Sequence, residues 1–192
     1  MAKIKICGLR RLQDADYVNA VLPDYVGFIL TPGFRRSIDF ETAAALKNRL
    51  NSNIKVVGVF VNDELSVINR FVNLKIIDVV QLHGSESPQF CNKINAPVIK
   101  AFKPNEFKSV KNYNTQYFLF DSGTGSGVKF DWSMLPETKT PFFLAGGINA
   151  ENARQAIKQV NPYCIDVSSS VETNGFKDFD KIKTITERVR NE

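Results

Sequence analysis

The sequence predicts an α/β chain folded as a single (β/α)8 barrel domain over residues 1–192, with a short or missing fifth helix. Three observations carry this expectation. Eight short runs rich in β-branched and aromatic residues recur along the chain, segments of helical periodicity separate them, and no linker or low-complexity stretch interrupts the repeat. Strict alternation of strand and helix implies a parallel sheet covered by helices, which leaves a closed barrel and an open doubly wound sheet as the two solutions. Eight units favour the barrel, at roughly 24 residues per unit, which is tight for that architecture.

Strands are expected at Lys3–Cys7, Tyr25–Leu30, Lys55–Val61, Val79–Leu82, Val98–Phe102, Tyr117–Phe120, Phe142–Ala145 and Cys164–Val167. Most end at Gly, Asp, Asn, Ser or His, as strands do before functional loops. Between them, Arg11–Leu22 places Leu12, Ala15, Val18 and Leu22 on one helical face. Phe40–Leu50 does the same with Ala43, Leu46 and Leu50 behind an Asp39 cap, and Glu64–Val72 with Leu65, Ile68 and Val72. Asn152–Val160 and Asp178–Arg190 are similarly periodic, the latter ending in basic residues that suit a helix C-terminus. Asn105–Asn114 is polar and poorly periodic, and the sixth helix is brief, around Trp132–Leu135.

Composition excludes several classes. Hydrophobic residues make up 43% of the chain, enough for one sizeable core. The net charge of +5 suits a small anionic substrate, but no basic run with interleaved aromatics marks a nucleic-acid surface. The apolar runs are too short to span a membrane, and the amino terminus lacks a secretory signal, so a cytoplasmic location is expected. Three cysteines without paired spacing, Cys7, Cys91 and Cys164, argue for a reducing compartment, and the single histidine, His83, argues against a histidine-based metal site.

In such a barrel the polar residues at the C-terminal strand ends are the ones to examine. Alternation along the first strand turns Ile4 and Ile6 toward the helices and Lys5 and Cys7 toward the interior. With Lys5 about 7 Å along the strand to favour a thiolate, Cys7 is either a general base or a small buried hydrophobe. Asp121, directly after an apolar strand, is either a general acid/base or a loop cap. Gly146-Gly147 and Ser168-Ser169-Ser170 close the last two strands; glycine-rich and hydroxyl-bearing turns there favour phosphate binding over ordinary connection. Alternation in the eighth strand also turns Asp166 inward, toward Lys5.

At this point the chain resembles the phosphoribosylanthranilate isomerases of tryptophan biosynthesis. The likeness rests on Lys5-Ile6-Cys7-Gly8, Val57–Asn62, Val80-Gln81-Leu82-His83-Gly84, Gly125–Trp132, Leu144-Ala145-Gly146-Gly147-Ile148, Asp166-Val167-Ser168-Ser169 and Gly175-Phe176-Lys177-Asp178, in register over nearly the whole chain. It implies a barrel of the ribulose-phosphate-binding type and an Amadori rearrangement of a small phosphosugar, without metal or other cofactor. It also implies Cys7 as base and Asp121 as acid, and Arg36 and Asp178 as contacts to the anthranilate end. His83 is read as a structural or substrate-contacting residue rather than a catalytic one, and Gly146, Gly147, Ser168 and Ser169 as the phosphate site. Thr31–Arg36 lacks the family's usual serine before the arginine, which leaves Arg35 and Arg36 both open, and Ser170 replaces a common glycine. The loop from Asp121 to Trp132 is short. A monomer or homodimer is expected, with neither nucleic acid nor membrane as partner. Two alternatives stand beside this: a barrel isomerase or lyase for another phosphosugar, and an idle barrel kept as an interaction partner.

Overall fold

Period-two alternation gives each strand two faces, and the two faces build separate cores. The computed structural model of the chain describes residues 1–121 and 131–191; Gly125–Phe130 and the short loop after Asp121 lie outside the described residues. Its strands are β1 (Lys3–Cys7), β2 (Tyr25–Ile29), β3 (Lys55–Phe60), β4 (Val79–Leu82), β5 (Val98–Phe102), β6 (Tyr117–Asp121), β7 (Phe142–Ala145) and β8 (Cys164–Val167). They pair in sequence order and close into a barrel through a parallel β1–β8 ladder in which Lys5 lies opposite Asp166. That seam decides between the barrel and the open sheet.

Ile4, Ile6, Val26, Phe28, Val80 and Phe120 face outward into the layer beneath the helices, whereas Tyr25, Val57, Val79, Ile99, Leu119 and Phe143 fill the barrel. At the N-terminal end of the barrel Tyr117 stacks on Tyr163 at 5.1 Å, and Tyr25 meets Phe143 edge-on at 5.3 Å. Burying such a ring contributes roughly 1.5–3 kcal/mol. The aromatic plug therefore stabilises one end and leaves the other for polar chemistry.

The helices are α1 (Leu12–Val21), α2 (Phe40–Arg49), α3 (Leu65–Asn73), α4 (Pro88–Cys91), α5 (Ala153–Val160) and α6 (Phe179–Arg190). Asp39 caps α2 as expected, accepting from the Thr42 amide. On α1 the expected apolar face is only half realised: Ala15 and Val18 are buried, but Leu12 and Leu22 are exposed. The ends of α1 are instead set by polar contacts. Buried Asp14 accepts from the amides of Arg10 and Arg11, and Arg190 of α6 donates to the Val21 and Leu22 carbonyls. The fifth connection is a polar, Pro-started 3-10 helix, Pro104–Asn112, and the sixth a single 3-10 turn, Trp132–Met134, capped by Asp131; neither offers the packed apolar stripe that an α-helix needs.

One element was not anticipated. Glu172–Thr173 (β9) and Phe176–Lys177 (β10) form an antiparallel hairpin between β8 and α6. Asn174 (φ 52°) and Gly175 (φ 80°) turn it, and adjacent positive-φ residues are what a two-residue hairpin turn demands.

Candidate active site

The C-terminal strand ends enclose a cavity of about 600 Å³. It brings together Cys7 from β1, Arg36 from the loop after β2, His83 after β4, Asp121 at the end of β6, Gly146 and Gly147 after β7, and Ser168 and Ser169 after β8. Asp178 is not brought to it. The hairpin places Asp178 at the N-cap of α6, where its carboxylate accepts from the Lys181 amide (3.1 Å) and the Thr173 hydroxyl (2.6 Å). Asp178 is engaged there by the start of the helix.

The region around Cys7 is built by close approach and buried charge. Cys7 lies opposite Gly27 of β2, and a methyl group on Gly27 would sit 2.5 Å from the Cys7 sulfur, so only glycine leaves the thiol its place. Lys5 is fully buried and donates to Asp166 Oδ2 at 2.8 Å and Gln81 Oε1 at 2.6 Å. Burial opposes the Lys5 charge, but Asp166 and Cys7 outweigh it and hold its pKa above the ordinary range. For Cys7 the balance runs the other way. Burial pushes the thiol up and Asp166 adds to that, against the pull of Lys5 and Lys177. The pull expected of Lys5 is present, but desolvation of the sulfur is the larger effect in the free protein.

A second ionic group stands at the loop ends. Arg36 grips Glu172 of β9 through Nε (2.6 Å) and Nη2 (2.9 Å), and Lys177 of β10 donates to the same carboxylate at 2.9 Å and to the Ser168 carbonyl at 2.9 Å. Burial works against the Glu172 charge, yet Arg36 and Lys177 bring its pKa down to about 2. Burial lowers Lys177 more than Glu172 restores it. Arg36 lines the cavity, whereas Arg35, with 57% of its side chain exposed, does not.

On the far side, His83 Nε2 stands 3.4 Å from Asp121 Oδ2, and His83 Nδ1 meets Gln81 Nε2 at 2.9 Å. At the glycine-serine end, Gly146 and Gly147 adopt φ of 84° and 69°, the left-handed region that glycine enters without steric cost. The helix that follows starts only at Ala153, and the Asn149 and Asn152 amides are taken by each other's side chains. Ser168 donates its hydroxyl to the Cys7 carbonyl (3.1 Å), which ties this end to the thiol's strand. Ser170 lines the same cavity, with a buried hydroxyl that has no protein partner. Among the described residues, no group of three or more His, Cys, Asp or Glu is placed to hold a metal ion. No described helix is long and apolar enough to cross a membrane.

The family model for N-(5'-phosphoribosyl)anthranilate (PRA) isomerase matches residues 4–188. The chain belongs to this isomerase family. An N-(5'-phosphoribosyl)anthranilate isomerase of Endomicrobium trichonymphae is 45% identical over 191 residues, 95% of each chain. The crystal structure of the family's Thermotoga maritima member superposes over the full length of both chains, with a TM-score of 0.90 at 35% identity. A family member solved with reduced 1-(o-carboxyphenylamino)-1-deoxyribulose 5-phosphate likewise matches over both full lengths, with a TM-score of 0.87 at 34% identity.

Sequence reasoning did not single out Gln81, Glu172, Lys177 or Gly27. Gln81 was visible as an inward polar residue in an apolar strand. The Asn174-Gly175 pair announces a hairpin, which would have placed Glu172 and Lys177 side by side. The contact between Gly27 and Cys7 depends on barrel register, which no local pattern shows.

Proposed function

We propose that this cavity converts N-(5'-phosphoribosyl)anthranilate to 1-(2-carboxyphenylamino)-1-deoxyribulose 5-phosphate, the Amadori step of tryptophan biosynthesis, with Asp121 as general acid and Cys7 as general base. The observation that carries the reading is the placement of Cys7 on β1 and Asp121 on β6 around one cavity with a glycine-serine cup beside them, in a chain that matches the isomerase family end to end. Asp121 gives a proton to the furanose ring oxygen as the C1–O bond breaks, and the nitrogen lone pair forms the C1=N iminium. Cys7 thiolate then takes the C2 proton, the C–H electrons form the C1=C2 bond, and the iminium electrons return to nitrogen. The resulting enolamine ketonises, C1 gaining a proton as the C2 hydroxyl loses one. C2 is oxidised as C1 is reduced, so the rearrangement is redox-neutral within the substrate.

Iminium formation also answers the buried thiol. Its positive charge, beside Cys7, adds to the pull of Lys5 and Lys177 and favours the thiolate at the step that needs it. Arg36 suits the anthranilate carboxylate, His83 contacts the substrate near Asp121, and Gly146, Gly147, Ser168 and Ser169 suit the phosphate, with Ser170 adding a hydroxyl. The reading assigns a monomer or homodimer in the cytoplasm. The purified chain is expected to turn over N-(5'-phosphoribosyl)anthranilate and to rescue a tryptophan auxotroph that lacks this step. Absence of both, or turnover of only a phosphoribosyl-aminoimidazole substrate, contradicts it.

A further inference from the structure

We infer that Gln81 is a positioning residue that fixes the tautomer of His83, so that His83 presents an Nε2–H to Asp121 Oδ2. The inference rests on the reading of Asp121 as the acid and extends it to residues that do not react. Lys5 carries an ammonium that can only donate hydrogen bonds. It bonds Gln81 Oε1 at 2.6 Å, inside the barrel and away from water. The amide oxygen of Gln81 is thereby committed, and the amide cannot rotate without turning its NH2 toward the Lys5 donors. Its NH2 must therefore face His83 Nδ1, at 2.9 Å. An NH2 donor there requires a lone pair on Nδ1, and a neutral imidazole then carries its proton on Nε2, the atom 3.4 Å from Asp121 Oδ2.

Asp121 gains direction from this. A carboxyl whose Oδ2 faces an N–H carries its own proton on Oδ1, and after transfer the same N–H stabilises the carboxylate left behind. A proton on Nδ1 of the neutral ring would instead point at the Gln81 NH2, so this contact selects the tautomer with Nδ1 bare. The Gln81 amide acts at the nitrogen itself. One buried ammonium thus reaches both ends of the reaction, acting directly on Cys7 and through Gln81 and His83 on Asp121.

His83 is the chain's single histidine, so its imidazole nitrogens are read without ambiguity by long-range 1H–15N NMR of the whole protein. The expected result is that the neutral ring carries its proton on Nε2 and leaves Nδ1 bare. A neutral ring protonated on Nδ1 overturns the inference, whatever the activity of the enzyme. Gln81→Glu supplies the second reading. It keeps an oxygen toward Lys5 but offers His83 an acceptor, so Nδ1 should become protonated and kcat should fall at least ~10-fold, with a shifted pH profile and a smaller change in KM. An unchanged Nδ1 and pH profile in this variant also overturn the inference. Because the NMR readout needs no turnover, it fails or succeeds separately from the assignment of Asp121.

Discussion

Two buried lysines flank Cys7, and they are built differently. Lys5 lies inside the barrel, on a central strand, held by Asp166 across the β1–β8 seam, and it keeps its charge with a raised pKa. Lys177 lies on a two-residue strand of the β9–β10 hairpin and shares Glu172 with Arg36, and burial brings its pKa down. Lys5 has one carboxylate and is indispensable to it; Lys177 has a carboxylate that two arginines also hold. The contrast teaches that one cation belongs to the architecture, whereas the other belongs to a loop that can be tuned without disturbing the barrel.

Removing each lysine tests this first. Lys5→Met leaves Asp166 buried without its partner and should cost about 3–5 kcal/mol in denaturant unfolding. Lys177→Met leaves Glu172 paired with Arg35 and Arg36 and should change stability by only about 1 kcal/mol. Equal losses would erase the distinction.

The hairpin site has its own pH signature. The folded pKa of Glu172 is depressed to about 2, so its contribution is complete above the unfolded carboxylate value and disappears as pH falls from about 4.5 toward 2. Glu172→Gln should remove on the order of 2–3 kcal/mol of stability at pH 7 and flatten the acid limb of the stability curve. An acid limb unchanged by the substitution would place the charge-stabilised carboxylate elsewhere.

The smallest expected effect is on thiol reactivity. Asp166 raises the Cys7 pKa and Lys177 lowers it. Asp166→Asn should therefore speed alkylation of Cys7 a few-fold near pH 8, and Lys177→Met should slow it, both followed by mass spectrometry of the Cys7 peptide. Changes of the same sign would mean that accessibility rather than charge controls the sulfur.

The two lysines also mark what the sequence could reveal. Period-two alternation along Lys3–Cys7 and Cys164–Val167 was enough to turn Lys5, Cys7 and Asp166 inward, because a central strand with one apolar face has little freedom of register. All eight strands were legible to within a residue at their ends for the same reason. The groups carried by loops were not. Arg36 was found only alongside Arg35, and the hairpin that separates their roles depends on how Glu172 folds back across the strand ends. The capping contacts of Asp178 were not legible either, because a capping carboxylate and a binding carboxylate look alike in a motif. Leu12 and Leu22 fit a helical stripe, yet Asp14 and Arg190 set the ends of α1 and left both exposed.

The central claim is that Asp121 and Cys7 divide the rearrangement into ring opening and proton abstraction. Primary kinetic isotope effects on kcat with substrate deuterated at C2 separate the two steps. Cys7→Ser should lower kcat by about 10²-fold or more and enlarge the isotope effect, because proton abstraction becomes rate-limiting. Asp121→Asn should lower kcat comparably and suppress the effect, because ring opening then limits the rate. An isotope effect that moves in the same direction in both variants would contradict the division of labour.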